Sequence, residues 1–448
     1  MEFLKKYGVN LLGWVILAGM ITVRLTAYGD LNLSVANTDT ISYIEGGAGP
    51  VFSKNMLTKS RLLTTNLLYH WADAQGCELQ AVSYPALGTE VYRDIQPCFN
   101  RIVFFQNIFS TIAWSILALA ISKRLGGGYE KLLAVSLITA FGFTPAIADW
   151  DSILGSESLT FSLFVICIAL IMEVGFNIAS DGINRKYSIF INSLAIMALA
   201  LFAFTRDADI YTLVVLFAMA IITAITFTKM IKNKGLLILI SAVCIIMTIG
   251  LQSAMTSRRW ALPMSNVFND LILPYPARAE FMLTVGMPDP ASAEYSTWFV
   301  GNAPRAYARF LMFHPGFTFT SFTSELGGIF SENIQPYFFS EQTRARKALI
   351  AVNDLLHPNT HLVFILDILL MAGLIFSIFR RKNTYFTIWV WVGTWLFFSA
   401  SLTLAVGFFA DSIGVTRHTM FAVEVFRLMM WVFLIILFDQ ANRKNEEV

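Results

Sequence analysis

KKYGVNLLGWVILAGMITVRLTAY, residues 5–28, sets two lysines before some twenty predominantly apolar residues. A run of this kind crosses about 30 Å of hydrocarbon as one α-helix. It is longer than the apolar region of a cleaved signal peptide, so it reads as a retained helix. Nine further apolar segments follow, at about 102–122, 132–148, 156–177, 188–205, 209–228, 235–254, 361–379, 385–408 and 419–438. Of the 448 residues, 56% are hydrophobic and 14% charged, against roughly 25% charged in an ordinary soluble domain. Mean hydropathy is +0.62. The fold class is therefore an all-α polytopic membrane protein of about ten transmembrane helices, with the lipid bilayer as its solvent. A net charge of +2 gives no basis for a nucleic-acid partner.

Orientation follows from where Lys and Arg fall in the short connections. Lys5/Lys6, Lys123/Arg124/Lys131, Arg185/Lys186, Lys229/Lys232/Lys234, Arg380/Arg381/Lys382 and Arg443/Lys444 all come to one side, and only Arg206 and Arg417 to the other. Both termini are then cytoplasmic, and the long loops 30–101 and 255–360 face outward; the expected location is a bacterial inner membrane. Three regions result: a seven-helix module over 1–254 that carries loop 30–101, an outer region over 255–360, and three C-terminal helices with a cytoplasmic tail over 361–448.

Both outer loops carry short amphipathic helices in this reading. Ser60–Trp71 mixes leucines and aromatics with polar residues, as a helix lying in the membrane interface does. Arg305–Pro315, with Arg309 and His314, reads as a helix on the membrane surface. Cys167 and Cys244 fall in apolar runs and read as small hydrophobes. Cys77 and Cys98 share the first outer loop, where an oxidising compartment favours a disulfide; two unpaired loop cysteines are the alternative.

The unusual polar residues converge on the outward ends of the helices. Asp39 follows the first helix in Asn-Thr-Asp39-Thr-Ile-Ser-Tyr43. Asp149, Asp151 and Glu157 lie in the link before the fourth, Arg206 with Asp207 and Asp209 in a later turn, and Arg417-His418 opens the last helix. Ionisable groups at membrane depth are functional candidates by default. The plainer alternative is that outer turns must be polar, and that Asp39 is a helix cap or turn residue. Carboxylates can take a proton from a hydroxyl nucleophile or hold a divalent cation. Guanidiniums match phosphate oxygens. No Walker, zinc-spacing, His-Glu-x-x-His or Gly-x-Ser-x-Gly motif is present, so nucleotide-driven transport and serine-hydrolase chemistry have no support.

Asp39-x-x-x-Tyr43 after the first helix, Ser156-Glu157-Ser158 before the fourth, Thr205-Arg206 and Arg417-His418 together resemble the GT-C glycosyltransferases. These membrane enzymes take a sugar from a polyprenyl-phosphate carrier. The resemblance covers about residues 1–254, and Arg417-His418 stands where Arg-Tyr is commoner in the family. It implies a polyprenyl-phosphate-linked sugar as donor, a glycan, lipid or protein acceptor, and Asp39 as the base that activates the acceptor hydroxyl. Arg206, Arg417 and His418 would bind the donor phosphate, with Lys59 and Arg61 in the first loop as alternatives. The resemblance leaves a cofactor open: none is required, and a divalent cation (Mg, Mn or Ca) would fall to Asp149, Asp151 or Glu157. Two other classes fit the topology. A polysaccharide polymerase or O-antigen ligase would rest on Arg305, Arg309 and His314. A transporter or flippase of lipid-linked substrates would place charges in helix centres and show repeat-related broken helices.

Overall fold

The computed structural model describes residues 2–28, 31, 33–37, 39–51, 53–79, 96–179, 185–226, 234–331, 335, 337, 344–381 and 384–446. It is an all-α polytopic membrane protein. The first half contains α1 (Glu2–Ala27), α2 (Thr40–Gly47), α3 (Lys54–Thr58), α4 (Leu63–Trp71), α5 (Asn100–Arg124), α6 (Gly128–Phe143), α7 (Pro145–Ala148), α8 (Glu157–Ala179), α9 (Arg185–Ala203) and α10 (Ile210–Thr226). The second contains α11 (Lys234–Ser257), α12 (Ala261–Val267), α13 (Pro276–Thr284), α14 (Glu294–Phe313), α15 (Pro315–Ser331), α16 (Arg344–Leu356), α17 (Leu362–Arg381), α18 (Thr384–Phe409) and α19 (Val415–Glu446).

Each of the ten apolar segments falls on a helix, although not all cross alone. Among the described residues, 8 helices are long and apolar enough to span a bilayer. Gly128–Phe143 and Pro145–Ser152 pass the same test only as a pair, bent by 47° at the break between them. The break follows from Pro145, which lacks the N–H a continuing helix needs and drives Thr144 to extended backbone (φ −80°, ψ 160°). The tenth, Leu362–Ile378, is a shorter apolar helix.

The helices share one core, in which Trp114, Phe164, Phe202, Trp395, Phe421 and Phe426 are buried. α8 is apolar on every side and sits centrally with α19, whereas α1 rides the edge. α18 packs on α8 and α10 and α19 on α6, so these C-terminal helices bury apolar faces against helices of the first half. Gly142 permits this density locally, because a Cβ there would collide with the Trp114 indole of α5. Charge also enters the interior. α19 carries Glu424 and Arg427 inside, where Glu424 bonds both Arg427 (2.5 Å) and His357 (2.5 Å). A buried charge is tolerated when paired in this way.

At one end of the bundle, Lys123 and Arg124 bond Glu173 across α5 and α8. The opposite end holds α2–α4 and a small separate core of α12–α14 built on Val267, Phe268, Met282 and Phe310. That core is tied to the loop before α19 by Asn266–Asp411 (2.9 Å) and Ser412–Asp270 (2.7 Å).

The two outer-loop segments singled out in the sequence take these forms. α4 turns one face inward, with Thr64, Thr65, Asn66, Leu68 and Tyr69 buried and Trp71 exposed. Thr64 donates to Leu201 O of α9 (2.6 Å) and Asn66 to Met56 O and Arg61 O (2.9 and 2.8 Å). Hydroxyl and amide groups need such partners, and protein supplies them better than acyl chains. Arg305–Phe313 is the end of one 20-residue helix, α14, rather than a short element of its own, and Pro315 already begins α15. Cys167 is buried, but Cys244 is exposed on α11.

Candidate active site

Two stretches far apart in sequence are stitched together beside the site. Val35 N–H donates to Ser152 O and Leu154 N–H to Val35 O, both at 2.9 Å. Thr40 Oγ1 then donates to Leu154 O (3.1 Å) and Tyr43 Oη to Ser156 Oγ (3.0 Å). The start of α2 is thereby laid against the start of α8, which brings Asp39 toward Glu157. Glycines 46 and 47 let α4 close on α2, since a Cβ on either would meet Asn66 or Tyr69.

Asp39 occupies the N-cap of α2, yet its side chain makes no capping hydrogen bond. The turn is held instead by Asn37 Oδ1, which accepts Asp39 N–H at 2.8 Å. The carboxylate points elsewhere. Its Oδ1 lies 2.8 Å from Arg61 Nη2 and its Oδ2 2.7 Å from Arg417 Nη1. Arg417 Nε donates to Glu157 Oε1 at 2.6 Å, and Glu157 Oε2 accepts Ser156 N–H at 3.0 Å. Arg61 Nε donates to Ser42 Oγ (2.6 Å), and its guanidinium lies 4.3 Å above the Tyr43 ring. The result is a chain of alternating charge, Arg61–Asp39–Arg417–Glu157. Glu157 is 1% exposed, whereas Asp39 is 36% exposed.

Burial alone would raise the Asp39 pKa, but Arg61 and Arg417 outweigh it and hold the carboxyl below its ordinary range. A depressed carboxylate contributes stability above its unfolded pKa, about 3.9. That contribution is lost as pH falls through the lower folded value. At neutral pH the pairs are therefore intact.

Asp149 and Asp151 belong to a second, buried cluster. Arg346 grips Asp149 with two hydrogen bonds (2.9 and 2.7 Å), and Arg24 bonds Asp151 at 2.7 Å. Ser158 Oγ donates to Asp151 Oδ1 at 2.6 Å. The Tyr28 ring lies beside both guanidiniums, at 4.2 and 5.0 Å, and its hydroxyl donates to Phe143 O. All three candidate metal ligands are thus occupied by arginines. Among the described residues no three His, Cys, Asp or Glu side chains come together as a metal site needs. This donor set does not fit a divalent cation.

The other sequence candidates disperse. His418 turns to Asp411 (Nε2–Oδ2 3.5 Å). Lys59 donates to the carbonyls of Glu45 and Ala48. Asp207 pairs with Arg259 (2.8 and 2.9 Å) rather than with its neighbour. Among the described residues none pairs with the half-buried Arg206 guanidinium, whose charge reaches Glu157. Arg305 and Arg309 are exposed on α14, and His314 is packed on Phe281 and Phe310 with Nδ1 2.9 Å from Phe310 O. Cys77 and Cys98 form a disulfide with Cα atoms 5.7 Å apart, which ties the end of the α4 turn to the start of α5.

Arg24 and Arg346 carry the second cluster and went unrecognised in the sequence. For Arg24 a signal existed: it is a lone cation inside an apolar span, and such residues seek a buried partner. Nothing distinguishes Arg346 from Arg344 and Lys347 beside it. Because Asp149 is 1% exposed, Arg346→Ala is expected to destabilise the protein by about 3–5 kcal/mol. Arg346→Met with Asp149→Leu should recover much of that loss. Thermal unfolding of the three purified proteins in detergent checks it, and a single variant that melts with the wild type would refute it.

No protein-family model matches the chain, and no curated protein matches it. Solved structures of the Archaeoglobus fulgidus oligosaccharyltransferase are similar in coarse fold. The form with an inhibitory peptide and a dolichol-phosphate is 12% identical, with TM-score 0.46 over 99% of this chain and 52% of that one. The form tethered to an acceptor peptide containing the NVT sequon is 12% identical, with TM-score 0.48 over 98% and 51%. The apo form is 10% identical, with TM-score 0.48 over 100% and 52%. The chain spans about half the length of those proteins.

Proposed function

We propose that the protein is an inverting glycosyltransferase that moves a monosaccharide from a polyprenyl phosphate to an acceptor hydroxyl on the external face of the membrane. The observation that supports this best is the Asp39 carboxylate, turned away from its helix and seated between the guanidiniums of Arg61 and Arg417. A partly exposed carboxylate beside phosphate-matching groups, at the end of a transmembrane bundle, suits a headgroup reaction.

In this reading the acceptor oxygen attacks the anomeric carbon as its proton passes to Asp39. The bond from that carbon to the phosphate oxygen breaks, and the lipid phosphate leaves with the electron pair onto Arg61 and Arg417. Half-buried Arg206, close enough to act on Glu157, supplies further positive charge. Glu157 orients Arg417 and is not a base. His418 and Lys59, engaged with Asp411 and with backbone carbonyls, take no part. The acceptor is a glycan, lipid or protein hydroxyl that enters from water.

The bundle end that holds Asp39 faces outward in this reading, and both termini are cytoplasmic. The test is incubation of the purified protein with a panel of polyprenyl-phosphate monosaccharides. Consumption of one donor with release of polyprenyl phosphate is expected. Inertness toward the whole panel, in the presence of glycan, lipid and peptide acceptors, would overturn the assignment.

A further inference from the structure

The two guanidiniums assigned to the donor phosphate are already engaged by Asp39. The way they are held is informative. Each arginine is anchored through Nε, Arg417 on Glu157 (2.6 Å) and Arg61 on Ser42 Oγ (2.6 Å). Each reaches Asp39 through an Nη nitrogen, at 2.7 and 2.8 Å. The anchors fix the guanidinium planes, while the Nη groups meet the most exposed carboxylate of the cluster. An incoming anion can therefore take the Nη positions without either arginine leaving its post.

We infer that the donor phosphate displaces Asp39 from Arg61 and Arg417, so that Asp39 becomes a competent base only in the donor-bound enzyme; this rests on the role given to Asp39 above. The groups around Asp39 set the direction of the change. Arg61, stacked on the Tyr43 ring of α2, faces it from between α3 and α4, Arg417 from α19, Glu157 from α8, and Tyr337 from the stretch before α16. While both arginines hold the carboxylate, it binds a proton poorly and activates no hydroxyl. Once they turn to phosphate, Asp39 faces that anion and Glu157 instead, and like charges strengthen proton binding. Donor must then precede acceptor. After transfer the proton taken from the acceptor stays on Asp39 until the lipid phosphate departs. The arginines then return, and the proton passes to water.

The probe is farnesyl phosphate, a short polyprenyl phosphate monoester, and the readout is infrared difference spectroscopy of the whole protein. The carboxylic-acid C=O band of Asp39 is assigned by its loss in Asp39→Asn, or in Asp39→Ala should the first variant fail to fold. Farnesyl phosphate is expected to raise the pH midpoint of that band by at least about one unit, a tenfold gain in proton affinity. Inorganic phosphate at the same concentration is expected to leave it unchanged; an equal effect would overturn the lipid as the trigger. In Arg61→Ala the midpoint should already be raised without ligand, and farnesyl phosphate should bind about tenfold more weakly, the loss of about one charge-assisted contact. An unmoved midpoint in the wild type, or undiminished binding in Arg61→Ala, overturns the exchange. The role of Asp39 as base is judged separately, by whether Asp39→Asn still transfers sugar.

Discussion

Asp39→Asn is expected to fold, to bind donor, and to transfer sugar at least about a hundredfold more slowly than the wild type. General-base assistance is typically worth about 10²–10⁴-fold, or roughly 3–5 kcal/mol of barrier. Asparagine keeps the side-chain volume and one oxygen for an arginine, but cannot accept the acceptor's proton. The cost to folding should be small, because the carboxylate is 36% exposed and exposed pairs contribute little. A helix cap would behave differently, since Asn caps about as well as Asp. That alternative is already weakened, because the Asp39 side chain makes no capping bond. A polymerase or ligase mechanism would instead place the loss at Arg305, Arg309 or His314. His314→Ala measured alongside is expected to retain transfer, its ring being engaged with Phe281 and Phe310. A fully active Asp39→Asn enzyme would end the assignment of the base.

Arg417→Ala should carry two separate losses. Donor binding should weaken by about 2–5 kcal/mol, the usual result of truncating one side of a desolvated charge pair. Stability should also fall, because Glu157 is 1% exposed and would keep a buried charge with its guanidinium removed. Glu157→Gln added to Arg417→Ala should restore much of the stability and none of the donor affinity. Arg417→Lys should recover part of the binding, since a point charge cannot serve Glu157 and phosphate through separate nitrogens. Donor depletion and thermal unfolding, measured on all four proteins, separate the effects. Recovery of transfer in the double variant would make Arg417 a purely structural residue and move the phosphate site elsewhere.

Much of the architecture was legible because it depends on short-range quantities. An α-helix closes its own backbone hydrogen bonds, so a run of about 20 apolar residues specifies a membrane span without reference to any other segment. Among the described residues, 8 of the ten apolar segments are helices long and apolar enough to span; the break at Thr144–Pro145, not anticipated in the 132–148 segment, has a local cause in the missing proline N–H. Asp39 stood out for the same reason: it lies a few residues past a span, in a polar stretch, with Tyr43 one helical turn away. What each charge does was not legible. Asp39 and Arg417 lie 378 positions apart, and Asp149 and Arg346 lie 197 apart. No periodicity links such residues; they meet because α19 and α16 pack where they do. Side chains that looked equivalent in the sequence were divided by that packing. Asp149 and Asp151 were drawn into ion pairs with Arg346 and Arg24, His418 turned to Asp411, and Glu157 became the anchor of Arg417. A charge buried in the bundle is costly unless a counter-charge or hydrogen-bond donors reach it. Which one it finds is a property of helix packing, and only the tertiary structure holds that information.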